Sequence, residues 1–182
     1  HVELAAHVPW PRGAAARQVA MNAACGMCGR VSVESIDIDA APLAPSDWQV
    51  AGSLVATLPG RLRVAQIAFD RTGGLHASGL FDLDGTLVSH AEDVGRHNAL
   101  DKLIGRALLA GRLPLSRTLL VVSGRSSFEI VQKAHLAGLP LIVAVSAPSS
   151  LAVALAEQAG ITLTGFVRDG GLNVYTHAQR FL

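Results

Sequence analysis

Two short, wholly apolar runs, Thr118-Leu-Leu-Val-Val122 and Leu141-Ile-Val-Ala-Val145, constrain this chain more than any other feature. Each has the length of a strand, and each leads through small hydroxyl residues into a helix-like pattern. Strands that are apolar throughout must be covered on both faces, and strands joined by helices run parallel. The neighbouring segments fit that scheme. Upstream, residues 75–81 and 86–90 flank Asp82-Leu-Asp-Gly85, whose Asp84-Gly85 pair predicts a tight hairpin. Residues 94–109 then carry Leu100, Leu103, Ile104, Ala107 and Leu108 on one helical stripe.

Downstream, a helix is expected over residues 127–137, ended by Gly138. Ser149 caps another to residue 158, which Gly160 stops. Residues 161–167 and 172–175 complete the sheet around the turn Arg168-Asp-Gly-Gly171. Ahead of the hairpin, Ser46 or Asp47 predicts the cap of a helix over residues 48–58 that Pro59-Gly60 stops, and a second short helix over 61–69. The hairpin-then-helix-strand order predicts an α/β sandwich whose second half is parallel. Residues 1–46 read as an N-terminal arm ending in a linker over 36–46, and residues 47–182 as one α/β domain.

Composition narrows the function classes. The 182 residues are 50% hydrophobic and 16% charged with net charge +1, which points to a packed domain and away from a disordered or nucleic-acid-coating protein. No apolar run reaches the ~18 residues of a membrane helix. The start, His1-Val-Glu-Leu-Ala-Ala-His7, lacks the pattern of a signal peptide and does not begin with Met, so the chain is expected to be part of a longer one. Two cysteines without a disulfide-rich pattern favour a reducing, cytoplasmic setting. Arginine outnumbers lysine thirteen to two, through either coding bias or recognition of phosphate and carboxylate by the guanidinium fork.

Polar residues collect where ligands bind in open α/β sheets, beyond the carboxyl ends of the strands. Ser123-Gly-Arg-Ser-Ser-Phe-Glu129 and Ser146-Ala-Pro-Ser-Ser150 both enter helices. Free N–H groups there suit an anion, and Arg125 adds a bidentate contact, although a serine before a helix is equally a plain cap. Thr72-Gly-Gly-Leu-His76 and Glu92-Asp-Val-Gly-Arg-His-Asn98 are denser. Glu92, Asp93, Arg96, His97 and Asn98 make either a capping and ion-pair cluster or a polar ligand site. His76, in an apolar strand, reads first as a satisfied core histidine. His135 reads as structural, and His1, His7 and His90 carry no argument.

Cys25 and Cys28 lie in the glycine-flanked run Ala24-Cys-Gly-Met-Cys-Gly-Arg30. The pair is open to redox, metal or sulfur-transfer chemistry. A structural zinc wants four ligands, and no second cysteine pair exists. A thioredoxin-like pair opens a helix, which Gly26, Gly29, Val31 and Val33 oppose. A loop-borne thiolate that collects and delivers sulfur, with Arg30 placed to lower the thiol pKa, is the third use, and the residues by themselves leave all three open.

Taken together, Ala24-Cys-Gly-Met-Cys-Gly29, Thr72-Gly-Gly-Leu-His-Ala77, Glu92-Asp-Val-Gly-Arg-His-Asn-Ala-Leu-Asp-Lys102, Ser123-Gly-Arg-Ser-Ser-Phe-Glu129, Val145-Ser-Ala-Pro-Ser-Ser150 and Asn173-Val-Tyr-Thr-His177 closely resemble the FdhD family. These are sulfurtransferase chaperones that prepare the molybdenum cofactor of formate dehydrogenase, and members usually carry a further region ahead of the C-x-x-C. The resemblance implies a three-layer α/β/α sandwich with a mixed, cytidine-deaminase-like sheet, and a homodimer. It implies that Cys25 carries a persulfide received from a cysteine desulfurase, that Cys28 assists or relays, and that apo-formate dehydrogenase receives the product.

The implied cargo is the molybdenum bis(molybdopterin guanine dinucleotide), contacted by Phe166, Val167, Arg168, Asp169, Gly170 and Gly171. Its guanine and phosphate ends would suit Thr72, His76, Glu92, Asp93, His97, Asn98, Ser123, Arg125, Ser126 and Ser146. A passive cofactor-binding chaperone is the alternative. A zinc-dependent deaminase is disfavoured, because the family-like strand reads His76-Ala-Ser78 where a His-x-Glu is needed and Cys25 has no preceding proline. No zinc, nucleic acid or membrane partner is expected.

Overall fold

The hairpin forms as expected. β1 (His76–Phe81) and β2 (Leu87–Asp93) pair antiparallel, and the turn closes by Asp82 N–H donating to the Thr86 carbonyl at 2.9 Å, with Gly85 at φ +82°. That dihedral is the reason for the glycine. The computed structural model describes residues 40–168 and 170–182, all of which fall within one compact unit, Ala40–Leu182. Cys25 and Cys28 lie outside the described residues, as do most of the expected arm and Asp169.

After β2 come α3 (Arg96–Leu109), β3 (Leu119–Val122), α4 (Phe128–Leu136), β4 (Leu141–Ala144), α5 (Ser150–Ala159), β5 (Thr162–Arg168) and β6 (Gly171–Val174). Two further helices, α1 (Gly52–Val64) and α2 (Ile67–Thr72), precede the hairpin. The six strands lie in the order β2-β1-β3-β4-β5-β6. β3, β4 and β5 are parallel, while β1 and β2 on one side and β6 on the other are antiparallel. The sheet is therefore mixed, as expected.

Alternation along the strands divides the core into two layers. Ala77, Phe81, Leu119, Val121, Leu141 and Val143 face α1 and pack on Val55, Leu58 and Leu62. Burial of each such α1 side chain stabilises the layer by roughly 1.5–3 kcal/mol. Gly79 shares that face, where an added Cβ would lie 2.8 Å from Leu62 Cδ1, so the helix sits directly on its backbone. The intervening residues Leu80, Leu120, Val122, Ile142 and Ala144 are also buried. They lie on the opposite face, where α3 meets β1 and β2, α5 meets β5, and α4 joins the two helices.

Several element boundaries differ from expectation. Residues 48–51 are extended rather than helical. Trp48 is buried with Nε1 donating to the Ser116 carbonyl at 3.1 Å, and Val50 N–H bonds the Arg180 carbonyl at 2.9 Å. Pairing with the distant C-terminal segment outweighs the local cap signal. Pro59 lies inside α1 and does not stop it. It removes one N–H, but Leu62 continues the buried Val55–Leu58 stripe into the next turn. The second helix consequently starts later, at Ile67. On α3 the buried stripe is Ala99, Leu100, Leu103 and Ala107, whereas Leu108 is 62% exposed. Of the expected linker, residues 40–46 pack on the same unit: the Leu43 N–H donates to the Ala159 carbonyl at 2.9 Å. Ser149 caps α5 as expected, accepting from Ala152 N–H at 3.2 Å.

Candidate functional site

The parallel strands all end on one side of the molecule, and there, between α1, α2 and the strand ends, lies a cavity of about 910 Å³. Its floor is made by residues at the strand ends: His76 from β1, Ser123 after β3, Val145 after β4, and Val167 and Arg168 from β5, with Gly170 beyond. One wall is the flank of α1 with Ser53, Ala56, Thr57, Gly60 and Arg63. The other is Gln66 and Phe69 with the Gly73-Gly74-Leu75 connection. The volume suits a ligand of nucleotide size.

The walls are fixed by specific bonds. Glu92 turns from β2 to α2, where its two carboxylate oxygens accept the N–H groups of Ala68 at 2.9 Å and Phe69 at 2.7 Å. A carboxylate in the first turn also meets the positive end of that short helix. Arg63 donates to Asp70 at 2.6 Å and its guanidinium stands 4.7 Å from the centre of the Phe69 ring, an arrangement that combines an ion pair with a cation–π contact. Ser123 joins the floor to β1: its N–H donates to the Ala77 carbonyl and its hydroxyl accepts the Ala77 N–H, both at 2.9 Å. Beside it, Gly124 leaves room for His76, since a Cβ there would lie 3.3 Å from His76 Nδ1 and 3.9 Å from Arg96 Cδ.

Residues 166–168 and 170–171 lie at the edge of this floor. β5 and β6 pair through Arg168 opposite Gly171, with an irregularity between Gly165 and Arg168. Phe166 sits there at φ +53°, a left-handed conformation that costs a non-glycine residue on the order of 1 kcal/mol or more. Its side chain is 41% exposed. Val167, Arg168 and Gly170 line the cavity. The Thr72–His76 stretch lines it through Gly73, Gly74, Leu75 and His76, while the Thr72 hydroxyl turns back to the Ala68 carbonyl at 2.9 Å.

A second group forms at the start of α3 and α4. Asp93 accepts from Lys102 at 2.5 Å, from Gly95 N–H at 2.9 Å and from Asn98 at 3.2 Å. The Lys102 bond, helped by the other two, holds its carboxyl down to about 2. His97 Nε2 is 3.0 Å from Ser127 Oγ and 3.6 Å from Glu129. Burial lowers the His97 pKa against the opposing pull of Glu129. Ser126 is fully buried, its hydroxyl without a partner among the described residues, and its carbonyl accepts Ser149 N–H at 3.0 Å. Arg125 is exposed, and the Ser146 carbonyl accepts the Phe166 N–H at 3.3 Å. His135 is buried against the Ala41 carbonyl, 2.8 Å from Nε2, in keeping with a structural part.

The candidate residues thus divide. His76, Ser123, Val167, Arg168 and Gly170 meet in the cavity. Glu92 reaches it only by holding α2, Asp93 is engaged with Gly95, Asn98 and Lys102, and His97 with Ser127 and Glu129 at the start of α4. Gln66 and the exposed face of α1 carried no motif in the sequence, and only the folding of α1 against α2 puts them at the site.

The family model of the FdhD/NarQ family matches residues 1–182. The chain belongs to the FdhD/NarQ family. Among its relatives, the sulfur carrier protein FdhD of Streptomyces avermitilis is 54% identical over 170 residues, which are 90% of this chain and 59% of that protein. The same-named proteins of Mycolicibacterium paratuberculosis and Saccharolobus solfataricus are 49% and 45% identical, covering 98% and 93% of this chain and 66% and 64% of theirs. This FdhD/NarQ chain therefore spans about two thirds or less of the length of those relatives. The crystal structure of a protein provisionally described as a formate dehydrogenase accessory protein from Desulfotalea psychrophila superposes with a TM-score of 0.69 at 33% identity, over 78% of this chain and 62% of that one. Among the described residues no helix is long and apolar enough to cross a membrane.

Proposed function

We propose that this chain is a sulfurtransferase that carries sulfur to a molybdenum bis(molybdopterin guanine dinucleotide) before that cofactor enters formate dehydrogenase. The reading rests on one observation above all. The cavity at the strand ends gathers His76, Ser123, Arg168 and Gly170 from separate segments into a site of nucleotide size, in a chain of the FdhD/NarQ family. We place the protein in the cytoplasm and take a homodimer as its working unit.

The thiolate of Cys25 attacks the outer sulfur of a cysteine desulfurase persulfide. The desulfurase S–S bond breaks, its cysteine leaves as a thiolate, and Cys25 becomes the persulfide. A persulfide is more acidic than a thiol, so it stays ionised and nucleophilic at neutral pH. In the second step the Cys25 S–S bond breaks and the outer sulfur passes to molybdenum as a sulfido ligand. Two electrons from the reduced metal centre take that sulfur to sulfide, and Cys25 returns as the thiolate. Cys28 assists or relays the sulfur. His76, Ser123 and Arg168 hold the polar end of the cargo, and the apolar wall of Leu62, Phe69 and Val167 excludes water around its rings. The loaded cofactor then passes to apo-formate dehydrogenase.

Incubation with a desulfurase and cysteine should add one sulfur atom to the intact mass of the wild-type protein and none to Cys25→Ala. The same variant should retain guanosine diphosphate binding and fail to activate formate dehydrogenase. Normal activation by Cys25→Ala would sink the mechanism. A wild-type protein that binds the nucleotide yet takes up no sulfur would mark a passive cofactor carrier.

A further inference from the structure

Gln66 is 4% exposed, lines the cavity, and has no side-chain hydrogen bond to any described residue. Its backbone is already used, with the N–H donating to the Arg63 carbonyl at 3.2 Å and its carbonyl accepting from Asp70 N–H at 3.1 Å. It therefore caps the turn between α1 and α2 through the main chain, and the carboxamide is left over for the cavity. Leu62, Phe69 and Leu75 line the same cavity, and none of them offers a polar side-chain atom. Of the cavity's ionic and hydroxyl groups, the Arg63 guanidinium covers one side of the Phe69 ring, and the others, such as Thr57, Ser123 and Arg168, lie on the flank of α1 and at the strand ends.

We infer that the Gln66 carboxamide reads the lactam edge, an N–H beside a C=O, of a planar ring seated against Phe69 and Leu75. A carboxamide and a lactam are self-complementary: the Gln66 amide donates to the ring carbonyl while its oxygen accepts the ring N–H. Once a ligand closes the cavity, a ring lacking either group leaves a buried amide unpaired, and such a loss is how a polar pocket rejects analogues. The inference rests on the cavity being the cofactor site proposed above. Guanine and the pterin ring of the cofactor both carry this edge, and the two are separated by experiment.

Calorimetric titration of the wild type and of Gln66→Met with guanosine diphosphate and with a soluble pterin tests the assignment. Methionine keeps the length and removes both hydrogen-bonding atoms. Loss of a two-bond contact should weaken one ligand by roughly tenfold to a hundredfold and leave the other unchanged. The weakened ligand is then the one read at Gln66. A second arm works on the ligand, so that it holds even if the variant folds poorly. The diphosphate of 2-aminopurine riboside lacks both the carbonyl and the adjacent N–H, and should bind wild-type protein roughly tenfold to a hundredfold more weakly than guanosine diphosphate does if guanine is the ring. Affinities of Gln66→Met within twofold of wild type for both ligands would overturn the inference and leave the cofactor site standing. A wild type that binds neither ligand would overturn both.

Discussion

His97 shows how a residue near the site carries charge information into stability. Burial lowers its pKa from the ordinary 6.5, while Glu129 at 3.6 Å pulls the other way. The unfolded chain therefore binds a proton at a higher pH than the folded one does. The His97 contribution is fully present above the unfolded value and is lost as pH falls through 6.5 toward the folded value. Urea midpoints should fall from about pH 7.5 to about pH 5, and His97→Gln should make that fall shallower. A slope unchanged in the variant would remove His97 from the account. Glu92 is a second residue whose effect is indirect. Glu92→Ala frees the Ala68 and Phe69 N–H groups and should cost about 1–2 kcal/mol by urea denaturation. Because the α2 wall then loosens, guanosine diphosphate affinity should drop as well, although Glu92 does not line the cavity.

At the scale of elements, α4 stops because Gly138 takes φ +73° with Pro114 packed against it. An added Cβ would lie 2.6 Å from Pro114 Cβ and 3.3 Å from its Cα, so neither backbone can yield easily. Gly138→Ala should destabilise the fold by about 2 kcal/mol or more, read from the shift of the denaturation midpoint. The edge strand β2 is protected by a helix. Lys102 Nζ donates to the Glu92 carbonyl at 2.9 Å and Arg106 to the His90 carbonyl at 2.8 Å. Residues four apart on α3 thereby cover carbonyls two apart on the strand, and this edge is less open to pairing with another chain. The sequence showed the helical stripe of α3, but these two bonds depend on how that helix lies along β2.

Over the whole molecule, Arg180 ties distant segments together. It is 4% exposed, with Nε donating to Ser46 at 2.8 Å and Nη1 to Thr162 at 3.0 Å. Its carbonyl also accepts from Val50. One side chain thus bridges the entry to α1, strand β5 and the C-terminal turn over residues 178–180. Arg180→Ala leaves the Ser46 and Thr162 hydroxyls short of a donor and empties a packed site, and should cost about 2–4 kcal/mol by urea denaturation. The cavity should keep its nucleotide affinity in that variant under native conditions, since Arg180 does not line it.

By itself the sequence determined the strand and helix order from the hairpin onward, because apolar period, Asp-Gly turn chemistry and helix stops such as Gly138 and Gly160 are local signals. It also carried the family, through motifs at fixed spacing. Only the tertiary structure decided that residues 48–51 are a strand-like strap rather than a helix start, and that α1 runs through Pro59. Both follow from partners far along the chain, Ser116 and Arg180 in one case and the β-sheet face in the other. The division of the polar residues is likewise tertiary. Thr72, Glu92 and Asp93 look like ligand contacts in sequence, yet their side-chain oxygens bond α2 and α3. Gln66, which looks like nothing in sequence, has its main-chain bonds met and its carboxamide left in the cavity.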